Sequence, residues 1–335
     1  FMTGKWHLSG TDQADWPLQR GFDRYYGCLS GATHFFHPYD WRIIYDGNTP
    51  VDTPESTTDR PFYTTDAFAD HAIRFIDEHE AGPSKEKPFF LYLAFTAPHW
   101  PHHAHDQELE KYRGKFDMGW DKLREQRFAR QKASGLIPSS WKLSPRDPEV
   151  PDWDSLGDRQ KKECSFRMGA YAAMIDRVDQ NVGKLVAFLR EREVLDDTLI
   201  LFLSDNGASA EIMVRGDGHD PQAARGSAES YLCLGPGWST TANTPFRRHK
   251  TWVHEGGIST PLIAHWPARI DDGGALRRTP GHVVDIVPTV LELAGVAAVA
   301  DLPGRSLVPA FTDDVAIARD SLWWSHEGHR ALRQG

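Results

Sequence analysis

Asp205 and Asn206 follow directly on the apolar run Thr198-Leu-Ile-Leu-Phe-Leu-Ser204 and are followed in turn by Gly207. A carboxylate and an amide oxygen side by side suit a hard divalent cation, which takes oxygen ligands. The same three residues also make an ordinary Asx-turn closing a strand, so the pair alone leaves both readings open. Lys5 and His7 are two residues apart in Gly4-Lys-Trp-His7. In an extended segment alternate side chains share a face, so a cation and an imidazole can reach one pocket; a surface lysine beside a packed histidine is the plainer alternative. His99 sits in Ala97-Pro-His-Trp-Pro101, where the prolines lower the entropy of holding an imidazole in place. Arg247, Arg248, His249, Lys250 and His254 crowd one short span. In a chain of formal charge -9 such a cluster suggests a local anion site, or else a solvated charged loop.

Other chemistries find no support. Cys28, Cys164 and Cys233 are far apart and give neither a disulfide framework nor a zinc site. Gly-x-Ser-x-Gly, a Walker loop, Gly-x-Gly-x-x-Gly and His-Glu-x-x-His are all absent, and no serine or cysteine is set up as a nucleophile. Asp176 and Asp179 read as a solvated helix face answering Arg177 and Lys184 rather than as metal ligands. The net negative charge argues against a nucleic-acid surface, and no apolar run is long enough to cross a membrane.

The elements that would position these residues follow from the pattern. The run at 198–204 has no polar alternation, which predicts a strand buried on both faces of a parallel sheet. Its carboxyl end is where open α/β sheets bind ligands. Pro88-Phe-Phe-Leu-Tyr-Leu-Ala-Phe-Thr96 predicts a second such strand leading to His99, and Thr260–Trp266 a third. A helix is expected from Thr64 or Thr65, either of which could cap it, to the breaker Ala81-Gly-Pro83. Residues 105–134 are mostly helical, and 135–158, with four prolines, make an irregular excursion. A long helix over 159–192 carries the stripe Met168, Tyr171, Ala172, Ile175, Val178, Val182, Leu185, Val186 and Leu189 and feeds the next strand as a helix-then-parallel-strand unit. Residues 207–260 read as a long glycine-rich loop, of the kind that is usually functional, and 283–294 as a last helix.

Taken together, Gly4-Lys-Trp-His-Leu8, Gly21-Phe-Asp23, Phe89–Pro101, Ser204-Asp-Asn-Gly207, Lys250–Gly257 with Pro261, and Asp285-Ile-Val-Pro-Thr-Val-Leu resemble, in order, the sulfatase family, specifically the bacterial arylsulfatase-like enzymes of the alkaline phosphatase superfamily. The resemblance implies an α/β fold with a mostly parallel central sheet sandwiched by helices. It implies a sulfuric ester hydrolase in which formylglycine, made from a Cys or Ser in a Cys/Ser-x-Pro-x-Arg motif, attacks sulfur while calcium holds the sulfate. On that resemblance Asp205 and Asn206 ligate calcium, and Lys5 contacts sulfate and formylglycine. His7 holds a formylglycine hydroxyl and takes its proton, while His99 and Lys250 lie on the leaving-group side.

The family's formylglycine motif and paired N-terminal aspartates precede its Gly-Lys-Trp-His, and no counterpart is present in this chain. Both ends therefore read as cut, with 1–312 as a core lacking its first strand and 313–335 as the start of a small C-terminal sheet domain. The chain as written is expected to release no sulfate and to bind calcium poorly. The resemblance also implies a saccharide or aryl sulfate as substrate and export to the periplasm or beyond. A phosphodiesterase or phosphonate hydrolase of the same superfamily and a non-catalytic binder of sulfated glycans are the alternatives. The aromatic loops 34–41, 99–105 and 231–254 could shape a sugar-sulfate pocket or simply pack.

Overall fold

Tyr25 and Tyr26 are neighbours in the chain yet sit in different cores. Tyr25 packs with Met2 and Leu29 and with the partly buried Trp6, Trp16, Phe22 and Ala94. Tyr26 packs with Cys28, Ile44, Phe68 and Phe75. That split is the two-residue period of a strand covered on both faces. The structure, a computed structural model, describes all residues except 9–11, 40–41, 53–60, 213–219, 221, 298 and 335.

In chain order the strands are β1 (Met2–Lys5), β2 (Tyr25–Cys28), β3 (Ile44–Asp46), β4 (Thr49–Val51), β5 (Tyr92–Ala94), β6 (Ile200–Leu203), β7 (Leu262–His265), β8 (Leu322–His326) and β9 (His329–Arg333). The helices are α1 (Thr64–Glu80), α2 (Asp106–Tyr112), α3 (Gly119–Ala133), α4 (Asp158–Glu191), α5 (Pro236–Ala242), α6 (Glu255–Ile258), α7 (Ile286–Leu293) and α8 (Val308–Asp313). The chain forms two units: Phe1–Gly119 with Asp152–Glu191 and Glu211–Gly235, and Trp120–Pro151 with Arg192–Ala210 and Pro236–Gly335.

The first unit holds a sheet in the order β4-β3-β2-β1-β5. β1 runs parallel to β2 and β5, while β3 and β4 continue the sheet antiparallel. The fold is thus α/β, with a mixed rather than mostly parallel sheet. α1 repeats apolar residues at helical spacing, and Phe68, Ala69, Ala72, Phe75 and Ile76 are all buried. Burial of a side chain such as Phe75 is worth about 2–3 kcal/mol. Its N-cap is Tyr63, with no side-chain cap, and not Thr64 or Thr65, which are both buried inside the helix. α4 runs 34 residues, close to its expected bounds. Its buried face is rotated from the expected stripe: Ile175 is 43% exposed, while Ala173 and Met174 pack against Phe35, Phe36 and Tyr63. Arg177 reaches Asp66 of α1 at 2.7 and 2.5 Å, and Lys184 reaches Asp70, so neither answers Asp176 as expected. Asp176 pairs instead with Lys111 of α2.

In the second unit the run at 198–204 does form a strand, but its surroundings differ from the expectation. β6 pairs antiparallel with β7 in a two-stranded sheet, and Phe202 and Leu203 are 46% and 36% exposed. An apolar run selects an extended backbone through local preference, but it does not encode which strand pairs with it. The long loop expected at 207–260 contains α5 and α6; residues 213–219 and 221 within it lie outside the described residues. Trp120 and Trp238 meet edge-to-face at 5.6 Å, and the Trp120 indole N–H donates to the Pro151 carbonyl at 3.1 Å. Asp285 of the Asp-Ile-Val-Pro-Thr segment is fully buried and accepts from His282 N–H, Arg305 N–H and the Arg319 guanidinium at 2.7–2.8 Å. That explains the aspartate as a structural hub.

Candidate functional site

Parallel pairing puts the carboxyl ends of β1, β2 and β5 of the first unit on one sheet edge: Lys5 lies opposite Cys28, and Gly4 opposite Ala94. Lys5 therefore ends at the edge where such sheets take ligands. His99 follows β5 beyond that edge, in a turn closed by its N–H to the Thr96 carbonyl at 2.9 Å, with its Nδ1–H donating to the Trp100 carbonyl at 2.8 Å. The peptide bonds before Pro98 and Pro101 are cis. His7 takes a left-handed backbone, φ 53°, and its N–H donates to the Leu29 carbonyl at 3.1 Å. A β-carbon on Gly31 would lie 2.5 Å from His7 Nε2, so only glycine leaves room for the ring there. Burial pushes the Cys28 thiol up to about 12, with Lys5 pulling the other way, so it stays protonated and is no nucleophile.

The second unit joins the Asp205–Asn206 turn to the segment carrying Lys250 through main-chain bonds. Lys250 N–H donates to the Ala208 carbonyl at 3.1 Å, and Gly207 N–H to the Gly257 carbonyl at 3.0 Å. Gly207 is buried so tightly that a β-carbon would lie 1.8 Å from the Gly256 carbonyl oxygen. Asp205 itself is exposed and Asn206 half-buried.

The basic cluster does not act as a unit. Arg248 pairs at 3.1 Å with Asp147, whose side chain is buried, and lies over the Trp252 ring at 4.3 Å. His249 is buried, with Nδ1 2.8 Å from Ser239 Oγ and Nε2 3.8 Å from Asp147. Burial lowers its pKa, against the pull of Asp147. Ser239, His249 and Asp147 have the residue types of a hydrolytic triad, but Ser239 is wholly inaccessible, so they serve as an internal anchor for the residue before Lys250. Burial, then Arg247, Arg248 and His329, hold His254 below the usual histidine range.

Sequence reasoning missed Gly31, Asp147, Ser239 and Asn243, a residue whose side chain bonds to this same segment. None carries a local signal, because each matters through a partner distant in sequence. For calcium, the two hard oxygens of Asp205 and Asn206 fit in kind and are adjacent. Such an ion takes six to eight oxygens, and among the described residues no group of three or more His, Cys, Asp or Glu is arranged to hold a metal ion.

Residues 1–296 match the family model described as Sulfatase. An uncharacterized sulfatase of Schizosaccharomyces pombe is 32% identical over 98% of this chain and 60% of its own length. The arylsulfatase of Klebsiella aerogenes is 33% identical over 92% of this chain and 68% of its own. An N-acetylglucosamine-6-O-sulfatase of Bacteroides thetaiotaomicron is 27% identical over 93% of this chain and 54% of its own. Among solved structures, that of Ps i-CgsB superimposes with a TM-score of 0.65 at 24% identity, covering all of this chain and 60% of that one, a likeness of fold. This chain belongs to the sulfatase family.

Proposed function

We propose that the protein hydrolyses sulfate esters of saccharides or aryl compounds. The observation that carries this reading is the joining of the Asp205–Asn206 turn to the Lys250 segment by the Lys250 N–H bond to Ala208 at 3.1 Å. It ties the backbone of the segment carrying oxygen donors for a cation to the backbone of the segment carrying an ammonium, and a cation and an ammonium both supply the positive charge that a sulfuryl group in transit requires. Calcium bound at Asp205 and Asn206 would supply charge neutralisation on the sulfate oxygens, and a formylglycine residue would supply the attacking oxygen. Lys5 and Lys250 add positive charge toward those oxygens. His7 would hold a hydroxyl of the formylglycine residue and take up its proton, and His99 would stabilise or protonate the departing oxygen; an imidazole does this near neutral pH. The sulfatases of saccharides among the relatives favour a sugar sulfate as the substrate class. Export to the periplasm or outside the cell is the location proposed with it; among the described residues no helix is long and apolar enough to cross a membrane.

The test is product release by the protein expressed from its complete reading frame, given an aryl sulfate, a phosphodiester and a phosphonate monoester in parallel. Sulfate release faster than both phosphorus reactions supports the reading. A preference for either phosphorus ester favours the phosphodiesterase or phosphonate hydrolase alternative. Binding of sulfated saccharides with no turnover of any ester points to a glycan binder.

A further inference from the structure

Asn243 touches both segments that carry the candidate residues of the second unit. Its Oδ1 accepts the Ala208 N–H at 2.8 Å. Its Nδ2 donates to the Arg248 carbonyl at 3.2 Å and to the Ala208 carbonyl at 3.4 Å. Ala208 lies two residues beyond Asn206, and Arg248 two residues before Lys250. One planar amide thus bridges two stretches of main chain, using a donor and an acceptor together.

Asn243 is itself held from both sides. Its N–H donates to the Ser239 carbonyl at 2.9 Å, closing the end of α5, and its carbonyl accepts the Phe246 N–H at 2.9 Å. The segment that it grips needs gripping. Arg248 and Thr251 take left-handed backbones, φ 67° and 78°, which non-glycine residues adopt at a cost and keep only where surrounding contacts hold them. The Arg248–Asp147 pair and the His249–Ser239 bond grip side chains; Asn243 grips the main chain on the Lys250 side.

Given the roles proposed above for Asp205, Asn206 and Lys250, we infer that Asn243 is a positioning residue that fixes Lys250 against the Asp205–Asn206 turn through their backbones. Its side-chain amide bonds to main chain on both segments. Aspartate in its place keeps the volume and the acceptor but sets a carboxylate oxygen against the Arg248 and Ala208 carbonyls. Alanine loses all three bonds.

The experiment uses Asn243→Ala and Asn243→Asp in the protein expressed from its complete reading frame, with an aryl sulfate as substrate. It records kcat, KM, the thermal midpoint, and the rise in that midpoint on adding calcium chloride. A misplacement of about 1 Å can cost about 100-fold in rate, so both variants are expected to lose about 10-fold or more in kcat, with KM changed by less than about 3-fold. The calcium-induced rise in midpoint is expected to shrink in both. Residues acting through one another are not additive, so Asn243→Ala added to Lys250→Ala should cost less than about 3-fold more than Lys250→Ala alone. Wild-type kcat and an unchanged calcium response with only a lowered midpoint would overturn the positioning role, as would fully multiplicative losses. If Asn243→Ala does not fold, the near-isosteric Asn243→Asp decides on the same readings. Should Lys250→Ala by itself keep wild-type kcat, the failure lies in the assignment of Lys250, and the positioning role falls with it.

Discussion

The ring of His7 fills the space that a side chain on Gly31 would need: a β-carbon there would lie 2.5 Å from Nε2 and 2.6 Å from Cε1. The obstruction is the far end of a side chain, so the backbone can accept Gly31→Ala if the imidazole moves away. The thermal midpoint is expected to change by no more than about 2 °C, the shift that a fraction of a kcal/mol gives in a domain of this size. Hydrolysis of an aryl sulfate should fall about 10- to 100-fold, because the ring no longer meets the proton that it handles. Wild-type kcat in Gly31→Ala would remove His7 from the reaction.

Asp147 is the buried partner of Arg248, and removing it leaves a guanidinium that is only 16% exposed. Breaking such a pair costs about 3–5 kcal/mol. Arg248 also lies 3.5 Å from Glu149, a residue largely open to solvent, so Asp147→Ala should sit near the lower end, about 3 kcal/mol. Urea unfolding followed by tryptophan fluorescence measures the loss; an unchanged midpoint would mean that the pair contributes nothing.

Burial drives His102 and His103 down to about 3 in the folded chain, against about 6.5 when unfolded. The unfolded state therefore binds more protons between those values. Stability from keeping these rings neutral is complete above about pH 6.5 and is lost as pH falls toward about 3. Each ring contributes a slope of up to about 1.4 kcal/mol per pH unit, so the pair gives about 2.7. Comparing urea midpoints at pH 7 and 5.5 keeps the carboxylates ionised and isolates the histidines. Burial also lowers His34, His71, His249, His254 and His282, which add to the drop, so His102→Gln should remove only part of it; an unchanged drop would assign it to other groups.

Much of the fold was legible in the sequence. α1 and α4 were readable because their apolar residues repeat at helical spacing over many turns, and the strands at 92–94, 200–203 and 262–265 because apolar runs end in turn residues. Partners were not. Nothing local says that β6 pairs antiparallel with β7, or that Arg177 crosses to Asp66 instead of meeting Asp176. The candidate residues could be named because their chemistry shows in residue type. The residues that hold them, Gly31, Asp147 and Asn243, could not, since a hydrogen bond across 35 residues, as between Asn243 and Ala208, leaves no periodic mark.

Asp205 offers an exposed carboxylate at the end of β6, beside the amide of Asn206. A ligand that binds only the folded state raises the midpoint, by about 2.7 kcal/mol of stability at a hundredfold excess over Kd. Calcium chloride should raise the thermal midpoint of the protein expressed from its complete reading frame. Asp205→Ala should abolish most of that rise, leaving the metal-free midpoint nearly unchanged. An equal rise in the variant would move the cation elsewhere.

Sulfate release from an aryl sulfate should be measured for the protein expressed from its complete reading frame, beside its Lys250→Ala variant at matched thermal midpoint. Removing one charge that stabilises a transition state costs about 100- to 1000-fold. Turnover by the wild type with a loss of that order in Lys250→Ala is the predicted result. Turnover that survives the substitution intact, or no sulfate release by the wild type, would contradict it.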